Sequence, residues 1–198
     1  MDSKKNILVL LDVNGLLCRK IQNNDLEGKN LANKKIIDAI KCNNQYHIII
    51  RHNIRNFLTK LSETYTVGIY SSTNFININI IMNTISKDWK NWITFTADRN
   101  YTALDPDYGV DEDIHSHDTV KMLSMIWQHP IFNANRKWNQ SNTLLIDHEV
   151  KKLRFNNAEN ILIVEEYTLE DHFNGVDHIN ELMAQIENKL AELSIHST

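Results

Sequence analysis

Asp12, Ser71, Lys121 and Asp147 are the residues of this chain whose types and order suit joint chemistry. Asp12 follows the apolar run at residues 7–11, Ser71 the run at 65–70, and Asp147 the run at 143–146. Lys121 falls between the last two, inside a helical pattern at 118–128. A carboxylate can attack phosphorus and divide one hard substitution into two easier ones. A hydroxyl can donate to phosphate oxygens, and a lysine offsets the charge of two anions brought together. One Asp after a strand is equally a strand-end cap, so the weight lies in its companions. Ser72 is the alternative hydroxyl, and Lys121 could also be a solvated helix lysine.

These groups meet only if the elements carrying them are neighbours. The three runs, with a fourth at 160–164 that ends on Glu165 and Glu166, are apolar throughout rather than alternating. That pattern suits strands buried on both faces of a parallel sheet. Between them lie helical patterns: 53–64 with Ile54, Phe57, Leu58 and Leu61, then 75–85, then 118–128 with Val120, Leu123 and Trp127. A C-terminal helix is expected near 178–193, with Ile179, Leu182, Met183, Ile186, Leu190 and Leu193 in register. Alternation of this kind predicts an α/β fold built on a doubly wound, Rossmann-type parallel sheet. Ligands of such sheets bind beyond the carboxyl ends of the strands, which is where Asp12, Ser71 and Asp147 would converge.

Residues 18–47 and 96–117 fit that pattern poorly and read as short insertions in a single domain over 1–198. The second carries Asp98, Asp105, Asp107, Asp111, Glu112 and Asp113, which reads as a solvated acidic loop without the Gly and Glu of a calcium-binding loop. Trp89, Trp92, Trp127 and Trp138 read as core or rim residues.

Bulk properties narrow the function classes. The 198 residues are 42% hydrophobic and 23% charged, the profile of a globular protein rather than a disordered one. A formal charge of −4 argues against a duplex nucleic-acid binder, whose affinity comes largely from basic residues. Cys18 and Cys42 have no metal-ligand spacing and read as thiols of a reducing compartment. No secretory signal is visible, and no segment approaches the roughly 20 apolar residues of a membrane helix. The expectation is no membrane partner and an intracellular, cytoplasmic or nuclear location.

Four segments together resemble the haloacid dehalogenase superfamily, most closely its FCP/SCP-like (NLI-interacting-factor-like) C-terminal-domain phosphatases. LVLLDVNGLL resembles the first motif, with Asp12 at the nucleophile position. IIIRHNIRNFLTKLSETYTVGIYSST resembles the stretch of Arg-Pro-Gly, helix, strand and Thr/Ser, with Arg51 at the Arg and Ser71 at the hydroxyl. HDTVKMLSMIW resembles the region of the motif lysine, Lys121, and TLLIDHEVKKL the metal-ligand motif, with Asp147. The resemblance runs from about residue 7 to 165. It implies a haloacid dehalogenase-like fold without a large cap domain, and a Mg²⁺ held by Asp12, Asp147 and the backbone carbonyl of Asn14. It further implies phosphate contacts from Ser71, Ser72 and Lys121, and a phosphorylated protein or peptide as partner. A nucleic-acid phosphate end would suit the same open crevice. Arg51 reads either as a phosphate contact or as a structural residue.

The first motif of that family is DxDx[TV], and its second Asp is the general acid and base. Asn14 stands there, and Leu16 stands at the Thr position. An amide cannot transfer a proton near neutral pH. His148 follows Asp147 where relatives carry Asp or Asn, so it is read as a group behind the site or a substitute acid. His115 and His117 precede Lys121 and are surface residues, substrate contacts or metal ligands. Two functions follow: a phosphoric monoester hydrolase, or a pseudophosphatase that keeps the crevice as a binding module.

Overall fold

The structure, a computed structural model, describes residues 4–22, 40–42, 46–110 and 118–195. Its centre is a five-stranded, wholly parallel sheet in the order β10-β9-β1-β5-β6. The strands are β1 (Leu8–Leu11), β5 (Thr66–Tyr70), β6 (Ile93–Ala97), β9 (Thr143–Asp147) and β10 (Ile161–Ile163). Every residue of β1 and of β9 is buried, as expected of runs that are apolar up to the terminal Asp147 of β9.

Successive side chains of each strand point to opposite faces, and two separate cores result. Val9, Leu11, Val67, Ile69, Leu144 and Ile146 pack on one face. That face is covered by α1 (Ile54–Thr64), α2 (Phe75–Ile85) and, following the short α5 (Leu169–Phe173), by α6 (Ile179–Ile195). Leu8, Leu10, Tyr70 and Leu145 pack on the other face, under α3 (Leu123–Gln128) and α4 (Val150–Leu153). The sheet is therefore doubly wound. The C-terminal helix belongs to the first core: Ile179, Leu182, Ile186, Leu190 and Leu193 are all buried there.

Ile54, Phe57, Leu58 and Leu61 form the buried stripe of α1, as their spacing predicts. The chain enters α1 through Asn53 at φ 55, a left-handed conformation that Asn tolerates better than most residues. Asn74 starts α2 by accepting the Asn77 N–H at 2.9 Å.

Three sequence expectations need correction. Strand β6 was not among the expected runs: ITFTA places Thr94 and Thr96 in an edge strand with one solvated side, so no continuous apolar run marks it. The helix expected over 118–128 is only α3; Thr119–Val120 is instead β8, paired antiparallel with β7 (Ala103–Leu104). β-Branched residues at 119 and 120 favour that pairing over a helical turn. The segment 18–47, read as a polar insertion, contributes β2 (Cys18–Gln22) and β3 (Ile40–Cys42), which flank β4 (Tyr46–Ile50) in an antiparallel sheet.

The acidic stretch also departs from a solvated loop. Asp98 and Asp105 are buried. Asp98 accepts from the Phe75 and Asn100 N–H groups, and Asp105 and Asp107 both pair with Arg154. Asp111, Glu112, Asp113, His115 and His117 lie outside the described residues. Trp89 and Trp138 are core residues, and Trp92 and Trp127 are half-buried at its edge. Among the described residues no helix is long and apolar enough to cross a membrane.

Candidate active site

The sheet reverses its direction of progression at β1, with β5 on one side and β9 on the other. The crevice beyond the carboxyl end of β1 is the switch point where such sheets bind ligands. Register fixes what reaches it. Leu11 is level with Ile69 and Ile146, so Asp12 stands level with Tyr70 and Asp147, and Ser71 lies one residue beyond. The Asp12 N–H continues the ladder by donating to the Ile146 carbonyl at 3.0 Å.

Lys121 arrives from outside the sheet. Its N–H donates to the Lys152 carbonyl at 2.8 Å, and its own carbonyl accepts from Asn156 Nδ2 at 2.7 Å. Tyr70 Oη accepts the Met122 N–H at 3.1 Å and lies 3.0 Å from the Tyr101 carbonyl, to which it donates. The segment before α3 is thus tied to β5 and to the end of α4. From there the Lys121 ammonium reaches 2.7 Å from Asp12 Oδ1 and 2.6 Å from Asp147 Oδ2, with its side chain fully buried.

That triad sets its own ionisation. Burial alone would lower the Lys121 pKa, but the charges of Asp12 and Asp147 overcome it and raise it above the ordinary lysine value. Burial alone would raise Asp147, yet the Lys121 charge and the donors around it hold this carboxyl well below the usual carboxylate range. One of those donors is the Glu149 N–H, 2.9 Å from Asp147 Oδ1.

His148 completes the cluster. Its Nδ1 lies 3.3 Å from Asp147 Oδ1 and 4.0 Å from Asp12 Oδ2. Its Nε2 lies 3.4 Å from Glu166 and 3.6 Å from Glu149. Burial pulls the imidazole down, but Asp147, Asp12 and Glu149 outweigh it, so His148 titrates above its ordinary value. Ligand atoms of Asp12, Asp147 and His148 all lie within 4.8 Å of one another.

The remaining candidates are placed as follows. Ser71 is buried; its N–H donates to the Ala97 carbonyl, and its Oγ accepts the Thr73 N–H at 3.2 Å. Ser72 Oγ accepts from Thr119 at 2.9 Å. Asn14 turns its Oδ1 onto the Lys20 N–H at 2.9 Å, within the turn closed by Gly15 N–H to the Cys18 carbonyl. Arg51 is not among the contacts of Asp12. Its guanidinium donates to the Leu16 carbonyl at 3.0 Å and the Asp177 carbonyl at 2.7 Å, and lies 5.2 Å over the Tyr167 ring.

Two relationships were not legible from spacing. Glu166, read only as the acidic end of a strand, turns back toward His148 and pairs with Arg19. Gly15, at φ 75, holds the ring of His148 so closely that a Cβ there would lie 2.5 Å from Nδ1. A cavity of about 260 Å³ lined by Arg51, Glu165, Glu166, Asp171 and His178 adjoins this cluster through Glu166.

Comparison with solved structures finds the same architecture. One is the structure of Fcp1, described as an essential RNA polymerase II CTD phosphatase, with a TM-score of 0.54 and 17% identity. Another is the fission yeast Fcp1 CTD phosphatase bound to beryllium fluoride, with a TM-score of 0.54 and 16% identity. The alignments cover 96% of this chain but 49% and 51% of those, so it spans about half their length. The likeness is one of fold, the parallel sheet being of haloacid dehalogenase type. No curated protein matches the chain. The family model described as "NLI interacting factor-like phosphatase" matches residues 7–194, and the chain belongs to that family.

Proposed function

We propose that the chain is a Mg²⁺-dependent phosphatase that uses Asp12 as nucleophile on phosphoserine or phosphothreonine in a protein segment. The observation that carries this reading is the buried Lys121 ammonium shared by Asp12 and Asp147 at the ends of adjacent strands. A carboxylate so held is fixed in direction beyond the end of its strand. Asp12 would form the new bond to phosphorus as the bond to the serine or threonine oxygen breaks, that oxygen taking a proton from water, and a second water would hydrolyse the aspartyl-phosphate to release phosphate. Ser71, with Ser72 beside it, would donate to the phosphate oxygens, and Lys121 would offset their charge. Arg51 and His148 are the further candidates for phosphate or substrate contact.

A divalent cation fits the residues present. His148 Nδ1, on a side chain nine-tenths buried, has no aligned hydrogen-bond partner and faces two carboxylates. Asp12, Asp147 and the carbonyl of Asn14 would hold Mg²⁺. When bound, it supplies the positive charge that lets an anionic nucleophile approach an anionic phosphate. The likeness to the CTD phosphatase Fcp1 supports a phosphorylated peptide as substrate; a nucleic-acid phosphate end offers the same monoester.

A second reading rests on Asn14. Its carboxamide accepts from the Lys20 N–H and cannot protonate the leaving oxygen or activate water. General acid–base help is worth about 10²–10⁴-fold, so its loss favours a slow enzyme or a pseudophosphatase that retains the crevice for binding. The test compares wild type, Asp12→Asn and Asn14→Asp with Mg²⁺ and a generic phosphate monoester. Wild-type turnover that vanishes in Asp12→Asn supports the enzyme. A silent wild type with an active Asn14→Asp supports the disabled site. Silence in all three, with no Mg²⁺ bound, sinks both readings.

A further inference from the structure

His148 sits where the turn after β1 and the end of β9 meet, and each of its ring nitrogens has a different task. Nε2 faces the carboxylates of Glu166 at 3.4 Å and Glu149 at 3.6 Å. The other nitrogen, Nδ1, is buried, has no aligned hydrogen-bond partner, and points between Asp12 and Asp147. Both ring nitrogens thus face carboxylates; a cation between Asp12 and Asp147 would take the Nδ1 lone pair in place of a proton, with the remaining proton on Nε2 held toward Glu166 and Glu149, the arrangement of metal-binding histidines. Gly15 makes room for this pose, since any Cβ at that position would collide with the ring.

The carboxylates are already largely engaged. Lys121 takes Asp12 Oδ1 and Asp147 Oδ2, and the Glu149 N–H takes Asp147 Oδ1. The atoms left for a cation are therefore Asp12 Oδ2, His148 Nδ1 and the second lone pair of Asp147 Oδ1. Two donors each about 2.1 Å from one ion can stand at most about 4.2 Å apart. The separations of 4.0 Å and 3.3 Å from Nδ1 satisfy that limit.

We infer that His148 is a nitrogen ligand of the cation site in this chain, and that the site prefers a first-row transition ion such as Co²⁺, Fe²⁺ or Zn²⁺ over Mg²⁺. Mg²⁺ takes oxygen ligands and retains water, whereas imidazole selects the later divalent metals. The inference rests on the cation site of the proposed function and adds a nitrogen donor, and with it tighter binding of transition ions, to a site proposed there for Mg²⁺.

The test uses the full chain, stripped of metal and then titrated separately with Co²⁺ and Mg²⁺, in wild type and His148→Asn. Wild type is expected to bind Co²⁺ at least tenfold more tightly than Mg²⁺, and His148→Asn to narrow that ratio by about tenfold or more. Proton NMR of the Co²⁺ form reads the ligand directly in wild type. The Nε2–H of a coordinated imidazole gives a strongly shifted resonance that disappears in D₂O and is missing from His148→Asn. Circular dichroism checks that the variant is folded. Equal Co²⁺ and Mg²⁺ affinities with no such resonance overturn the nitrogen ligand and leave the cation site standing. If neither ion binds wild type, the inference falls together with the cation site of the proposed function.

Discussion

Lys121 Nζ lies 2.6 Å from Asp147 Oδ2, and neither side chain is reached by solvent. Asp147 ends a strand that is buried along its whole length, and Lys121 comes from the short segment between β8 and α3. The pair therefore joins two parts of the chain, and with Asp12 it puts three charges almost wholly out of solvent. Such a cluster is strongly coupled: removing one member leaves the others uncompensated.

Lys121→Met should be the most damaging single change at this site. Two carboxylates would remain close together with no cation, and about 3–5 kcal/mol of stability is the usual loss for a broken buried pair. Urea denaturation at pH 7 against wild type measures it. The deficit should shrink at acid pH, because unpaired buried carboxyls take up protons more readily. Wild type moves the opposite way. Asp147 is held below its ordinary range, so its contribution is complete above an unfolded pKa of about 3.9 and is lost as pH falls towards the folded value. A variant equally destabilised at pH 4 and pH 7 would count against the triad as an electrostatic unit.

Gly15→Ala tests the contact between the turn after β1 and His148. Two costs combine: a non-glycine residue at φ 75, worth about 1–2 kcal/mol, and a Cβ 2.5 Å from the imidazole. In the Gly15→Ala/His148→Ala double variant the collision is gone and only the backbone cost remains. The thermodynamic cycle should therefore show a favourable coupling of about 1 kcal/mol or more, as is common for residues in contact. Strict additivity would mean that the ring does not lie over Gly15.

Arg51→Lys should lower stability by about 1–3 kcal/mol, because one ammonium cannot reproduce a guanidinium that donates to the Leu16 and Asp177 carbonyls and lies over Tyr167. Thermal unfolding measures this loss. If instead the melting temperature is unchanged while phosphate affinity drops, Arg51 acts on substrate and its contacts to the two carbonyls contribute little.

Arg154 holds the acidic stretch against α4 through Asp105 and Asp107. Its hydrogen bond and charge lower Asp105 below the usual carboxylate range, against the effect of burial. The stabilisation is then complete above about pH 4 and lost as pH falls through the folded value of Asp105. Arg154→Ala should cost about 1 kcal/mol near neutral pH, with less difference from wild type at pH 3. Chemical denaturation across that range provides the comparison, and a pH-independent difference would assign the effect to packing on Phe155 instead.

The elements that carry the site were legible because their signals are local. Apolar runs mark β1, β5 and β9, and the residue after β1, the residue after β5 and the last residue of β9 are those of the candidate site: Asp12, Ser71 and Asp147. The helical spacing of α1 and α6 was equally plain. Edge strand β6 and the short β8 were not, because alternating threonines and a two-residue pairing leave no run long enough to read. Asp105 could not be told from a solvated acid, since its partner Arg154 lies 49 residues away in the chain.

The sequence by itself determined the parallel sheet, the order of its strands' chemistry and the amide of Asn14 two residues after Asp12, all of which depend on residue type and near spacing. Only the tertiary structure decided that Lys121 is a buried cation rather than a helix-surface one, that His148 turns Nδ1 toward Asp12 and Asp147, and that Glu166 stands behind it. Those facts depend on strand register and on where a connecting segment is anchored. Contacts between residues far apart in the chain are set by packing, which no local pattern encodes.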